Sequence, residues 1–169
     1  MAEEKRHIAR VIGTDNATAQ RLFAEAVQRW RIRGVRVAGV IEEIRGLGER
    51  ASSGGVLRDI ATGERHSIFV EILPAGKVCH VDADGTEQAA ASVLANLADS
   101  DVVVLSKFGK LEAGGRGLMG AFEAAAAAGK PILTRVAKKH LLAWNAFAPD
   151  AKVIAPSLSS IGLWWSVRS

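Results

Sequence analysis

Three cations, one acid and four glycines follow a single apolar run in Asp101-Val102-Val103-Val104-Leu105-Ser106-Lys107-Phe108-Gly109-Lys110-Leu111-Glu112-Ala113-Gly114-Gly115-Arg116-Gly117. A short strand apolar on both faces that runs into a glycine-rich turn is how a parallel α/β sheet offers a loop to a ligand at its carboxyl edge. The strand ends in Ser106-Lys107 and the first acid beyond it is Glu112. With more positive than negative charge, the loop suits an anion better than a metal. Lys107 and Lys110 are three positions apart around Gly109, so both ammonium groups can reach one anion. Arg116 opens the next helix, where free N–H groups and the helix dipole also favour negative charge. Glu112 is read as a support that fixes one of the cations. The solvated alternative is a plain surface loop turned by Gly114-Gly115.

A second candidate turn follows the first strand. A phosphate loop would read Gly, four residues, then Gly-Lys-Ser or Gly-Lys-Thr. Counted from Gly13, this chain has Thr18, Ala19 and Gln20 in the last three places. The lysine for the β- and γ-phosphates and the hydroxyl for Mg²⁺ are both missing. Gly13, Thr14 and Thr18 remain, with helix N-terminal N–H groups that can hold a small anion. The alternative is an ordinary helix cap at Asp15 or Asn16. Asp82 is free to face the same edge, whereas Asp84 reads as a helix cap, spaced like a capping box with Glu87. The candidate ligand-binding set is therefore Gly13, Thr14, Thr18, Asp82, Lys107, Gly109, Lys110 and Arg116, with Glu112 supporting and no catalytic or metal-ligating residue. Cys79, His80 and His66 lack the spacing of a metal site. Neighbours in a strand point to opposite faces, which also argues against a Cys79–His80 catalytic pair.

These residues need a sheet to position them. Ile8 to Ile12 reads as a strand, Thr18 to Arg33 as a helix with Leu22, Phe23, Ala26, Val27 and Trp30 on one face, and Val35 to Ile41 as a second strand. That β-α-β unit predicts parallel pairing. Residues 42–55 show no strong period and read as an irregular excursion. Val56 to Ile60 and His66 to Leu73 read as a hairpin, which makes 42–77 an inserted, hairpin-containing segment. The α/β pattern resumes with a helix carrying Ala90, Val93, Leu94 and Leu97. The strand at 101–105 follows, then a helix through Leu118, Met119 and Phe122, a strand at 132–136, a helix to Phe147 and a short strand at 152–155. Trp164-Trp165 is expected to pack back onto the body.

Composition narrows the classes. The chain has 169 residues, 49% of them apolar, which suits one globular domain with a sizeable core. A net charge of +4, with the basic residues dispersed, argues against a nucleic-acid partner. A single cysteine excludes an internal disulfide framework. The charged start from Met1 to His7 has no signal-peptide core, and no 18-residue apolar run is free of charge, so a cytoplasmic protein without membrane insertion is expected.

The 101–117 segment, the Pro131-Ile132-Leu133-Thr134 strand and Leu142-Ala143-Trp144-Asn145-Ala146-Phe147-Ala148 resemble a bacterial domain family related to the THEP-type nucleoside-triphosphatases. The first β-α-β unit, Asp59-Ile60-Ala61-Thr62-Gly63-Glu64-Arg65 and Cys79-His80-Val81-Asp82 extend the resemblance over nearly the whole chain. It implies a three-layer α/β fold of P-loop-NTPase-like type with a mostly parallel sheet, and genes often found beside molybdate-uptake or molybdenum-enzyme genes. In the nucleotidases of the wider group an Asp-Glu pair stands where this chain has Ser106 and Lys107. The catalytic pattern is thus missing at both main sites. The resulting expectation is a non-catalytic or regulatory protein binding molybdate, tungstate, a phosphate-like oxyanion or a phosphorylated ligand such as a nucleotide. A divergent Mg²⁺-dependent nucleoside-triphosphatase and an oligomeric scaffold are the alternatives, with a homodimer suggested by the apolar tail.

Overall fold

The computed structural model describes residues 7–72, 78–81 and 83–167. Strand β1 (Ile8–Val11) leads through a turn at Gly13 (φ +74°) into helix α1 (Asn16–Ile32). Asp15 caps this helix by accepting a 2.7 Å hydrogen bond from the Thr18 amide. The buried stripe of α1 is Ala19, Gln20, Phe23, Ala26, Val27 and Trp30, a three-and-four spacing that turns one helix face to the sheet. Gly34 (φ +80°) ends it, with the Gly34 amide bonded to the Arg31 carbonyl and the Val35 amide to the Trp30 carbonyl.

Strands β2 (Val37–Arg45), β3 (Ser52–Asp59) and β4 (Arg65–Ser67) follow, and β5 (Phe69–Ile72) pairs with β6 (Val78–Val81) in a separate two-stranded sheet. The rest alternates: α2 (Ala83–Asn96), β7 (Val102–Leu105), the short α3 (Lys110–Ala113), α4 (Met119–Ala127), β8 (Ile132–Arg135), α5 (Leu141–Phe147), β9 (Lys152–Ile154) and α6 (Leu158–Ser166). The main sheet has seven strands in the order β4-β3-β2-β7-β8-β1-β9. The four pairings from β2 to β9 are parallel, and β3 and β4 add an antiparallel edge.

The 101–105 strand is central, as its apolar run predicts. Val102 and Val104 enter the core beneath α1 and α6, while Val103 and Leu105 enter the core beneath α2, α4 and α5. The two-residue period of a strand covered on both faces thus builds a three-layer molecule. Phe108, Phe122, Trp144 and Phe147 form an aromatic cluster in the second core. Trp164 packs back as expected, 4% exposed and stacked on His7 at 4.6 Å, but within a helix the sequence reading did not contain.

Residues 42–55 depart from the expectation of an irregular excursion. β2 continues to Arg45 and β3 begins at Ser52, paired antiparallel with a register shift between Glu42 and Ile44. Cross-strand hydrogen bonds stabilise this stretch, so its side chains need no clear alternation, and the bulge breaks the period that does exist. Asp84 likewise lies within the first turn of α2. Glu87 is held by Arg116, a stronger partner than a backbone amide in a capping box.

Candidate functional site

Gly13, Thr14 and Thr18 follow the carboxyl end of β1 and Lys107, Gly109 and Lys110 that of β7, with β8 between the two strands. The chain leaves β1 for α1 on one face of the sheet and leaves β8 for α5 on the other. Neighbouring strands whose connections diverge open a crevice between their ends, the usual ligand position in such sheets. The Gly13–Asp15 turn stands at this end of the sheet, whereas the cavity of about 970 Å³ lies between α1 and the β2–β3 pair. The register pairs Val11 with Arg135, so Arg135 stands beside the turn and donates from Nε and Nη2 to the Thr14 carbonyl at 3.4 Å. On the other side of β8, the Phe108 amide bonds the Arg135 carbonyl at 2.8 Å and tethers the Ser106–Gly109 turn to the same edge.

Behind these turns lies a buried polar network. Gln20, seven residues after Gly13, is 1% exposed. Its Nε2 donates to the Ser106 carbonyl at 2.7 Å and to Asn16 Oδ1 at 3.1 Å, while its Oε1 accepts from the Glu42 amide at 3.0 Å. Glu42 is buried, accepts from Asn16 Nδ2, and brings Oε1 to 3.8 Å from Lys107 Nζ. Ala19, beside Gln20, is fully buried. The hydroxyl of Ser106 is buried with no hydrogen-bond partner among the described residues.

The sequence-derived residues divide into groups. Lys107 and Lys110 lie on the central turn and the start of α3, and Gly109 precedes that helix. Glu112, read as fixing one of the cations, holds backbone instead. Its Oε1 accepts from the Gly109 amide at 2.9 Å and its Oε2 from the Leu118 amide at 2.8 Å. Burial pushes its carboxyl above the ordinary range, with those two hydrogen bonds and Lys107 opposing the shift. Arg116 turns to α2, with Nε 3.0 Å from Glu87 Oε1, and the pair raises the arginine and lowers the glutamate. Thr18 gives its amide to Asp15, whose carboxyl is held down by Thr18 first and by Arg135 and Arg21 beyond it. The helix cap weighed against an anion at α1 is thus present. Asp82 lies outside the described residues, as do the side chains of Cys79 and His80.

Sequence reasoning missed Glu42, Asn16 and Arg135. Two signals were available: Gln20 is a polar residue on the buried stripe of α1, and Arg135 ends an apolar strand in the same way Lys107 does. Glu42 was hidden by the bulge after it.

The family description "Protein of unknown function (DUF2478)" matches residues 8–164, almost the entire described chain. The chain belongs to the DUF2478 family. A molybdenum import ATP-binding protein, ModC 2, of Bradyrhizobium diazoefficiens is 32% identical to it over 146 residues, which is 85% of this chain and 16% of that protein. The DUF2478 chain therefore spans about a sixth of that relative. No solved structure matches it. Among the described residues, no group of three or more metal-ligating side chains is present, and no helix is long and apolar enough to cross a membrane.

Proposed function

We propose that this DUF2478 protein is a non-catalytic binding module with a P-loop-NTPase-like fold that holds an oxyanion or phosphorylated ligand at the crevice between β1, β8 and β7. The observation that carries this reading is Gln20. Counted from Gly13, it stands where a phosphate loop has its Mg²⁺-binding hydroxyl, and its amide is committed to the Ser106 carbonyl and the Glu42 amide, with Ala19 buried beside it. Phosphoryl transfer needs a metal held by that hydroxyl and cations on the β- and γ-phosphates. An anion needs only positive charge and donors. Lys107, Lys110 and Arg135 supply the charge, and Arg135 lies against the Thr14 carbonyl of the Gly13–Asp15 turn. Arg116 and Glu112 fix the loop that carries the lysines.

The molybdenum relative makes molybdate a natural first probe, alongside tungstate, phosphate and nucleotides. Titration calorimetry of the purified chain at low ionic strength should show binding of at least one of these, and Mg²⁺-dependent nucleotide hydrolysis should stay at background. Absence of binding across the panel at millimolar ligand defeats the reading. Turnover that disappears in Lys110→Ala would instead establish the divergent nucleoside-triphosphatase. A homodimer has a candidate surface where α6 leaves Leu163 66% exposed near the open edge of β9, and analytical ultracentrifugation tests it.

A further inference from the structure

One face of the main sheet carries three helices and the other carries two. Among the described residues, α2, α4 and α5 pack on the first face, whereas α1 and α6 pack on the second. Seven strands span about 29 Å, and each packed helix covers about 10 Å of that width. The second face is one helix short, and the shortfall lies over β3 and β4. Ile41 of β2 packs against the α1 core, and the antiparallel register puts Arg58 on its face and Arg65 beside Arg58. Both arginine side chains stay exposed there, at 58% and 57%. The cavity between α1 and the β2–β3 pair lies at this gap. Val27 and Ile60 form its apolar floor, Ile41 and Ile44 are half-buried in its wall, and Ile32 stands 79% exposed at its rim. Lys107, Lys110 and Arg135 do not line it, so it is separate from the oxyanion crevice.

Charge selects what fits the gap. Arg21, Arg31 and Arg58 line it, together with three acids that are already engaged. Glu42 faces Lys107, Asp59 accepts from the Ser92 hydroxyl of α2 at 2.6 Å, and Glu43 holds both Arg58 and Arg65. On α1, Arg21 bonds the neutral Gly46 carbonyl, and Arg31 has no anionic partner among the described residues. These two arginines stand about 15 Å apart along the helix axis. An apolar strip with uncompensated cations toward both ends is complementary to an amphipathic helix with acids on its flank. Laid beside α1, such a helix rests its apolar stripe on Ile32, Ile41 and Ile44, and carboxylates about ten residues apart reach Arg21 and Arg31. We propose that this uncovered strip docks an acidic amphipathic α-helix of a partner protein, which completes the helical layer.

The test is fluorescence anisotropy of two synthetic helical peptides of about 18 residues against the full chain, in about 0.1 M salt. Both carry the same leucine stripe, flanked by glutamates in one and by lysines in the other. The glutamate peptide should bind at least about tenfold more tightly. Arg31→Glu should weaken it at least about tenfold and Ile32→Ser at least about threefold. Arg33→Glu makes the same charge change at an exposed residue outside the cavity and should leave affinity within about threefold. The three replaced residues are exposed, so the variants keep the fold. Equal binding of the two peptides, or no binding of the glutamate peptide at about 100 μM, overturns the proposal. So does an equal loss in Arg31→Glu and Arg33→Glu, which marks general attraction to a basic chain. None of these outcomes depends on the oxyanion titrations.

Discussion

Replacing Gln20 by alanine should cost this protein a large part of its stability, although the residue lies on a helix facing the candidate site. Its carboxamide serves two backbone groups from different strands: it donates to the Ser106 carbonyl at the end of β7 and accepts from the Glu42 amide in β2. Alanine leaves both without a partner at buried residues. Each buried orphan costs about 1–3 kcal/mol. A water admitted into the vacated space recovers some of this, so the expected loss is about 2–4 kcal/mol. That is a substantial fraction of the roughly 5–15 kcal/mol typical of a domain. For a chain of this length it lowers Tm by about 5–15 °C. Equilibrium urea unfolding is the assay, with an unchanged m-value required so that the shift in midpoint reports native stability. Gln20→Met separates the causes, because it fills the volume without making the bonds and should lose nearly as much. A loss below about 1 kcal/mol in both variants would refute the claim that this amide joins α1, β2 and β7.

Other substitutions test other parts of the argument. Lys107→Ala and Arg135→Ala should each weaken oxyanion binding at least about tenfold, about 1.4 kcal/mol, whereas Arg116→Ala, whose guanidinium is engaged by Glu87, should weaken it by less than about threefold; calorimetry on the three variants gives the ranking. Gly39→Ala should destabilise by at least about 3 kcal/mol in urea, because φ is +124° and a Cβ there would fall 1.8 Å from the Val104 carbonyl oxygen. Glu112 gives a pH dependence of definite sign. Its folded pKa is raised, so above the usual glutamate value of about 4.3 the folded state holds more proton than the unfolded, and stability falls as pH rises toward the folded value. The difference in stability between wild type and Glu112→Gln should therefore shrink with rising pH across that window, and a difference that is constant or grows would contradict the burial of the carboxyl.

Much of the architecture follows from the order of residues alone. The doubly apolar run Val102-Val103-Val104-Leu105 has to lie between two helical layers, because either face exposed would leave large aliphatic side chains in water. The helical spacing of Phe23, Ala26, Val27 and Trp30 orients α1, and the missing lysine and hydroxyl after Gly13 can be read by counting. Glu112, expected to fix one of the cations, instead reaches back three residues to the Gly109 amide. What each charge does is a different matter, since that depends on partners distant in sequence. Arg116 is claimed by Glu87, 29 residues earlier, Lys107 meets Glu42 across a parallel strand pair, and Arg135 reaches Thr14 from 121 residues away. Local pattern encodes which face of an element is buried, because burial is set by the period of the element itself. Ion pairing is set by strand order and register, and the strand order β2-β7-β8-β1 brings Glu42, Lys107, Arg135 and Thr14 to one edge only once the chain has folded.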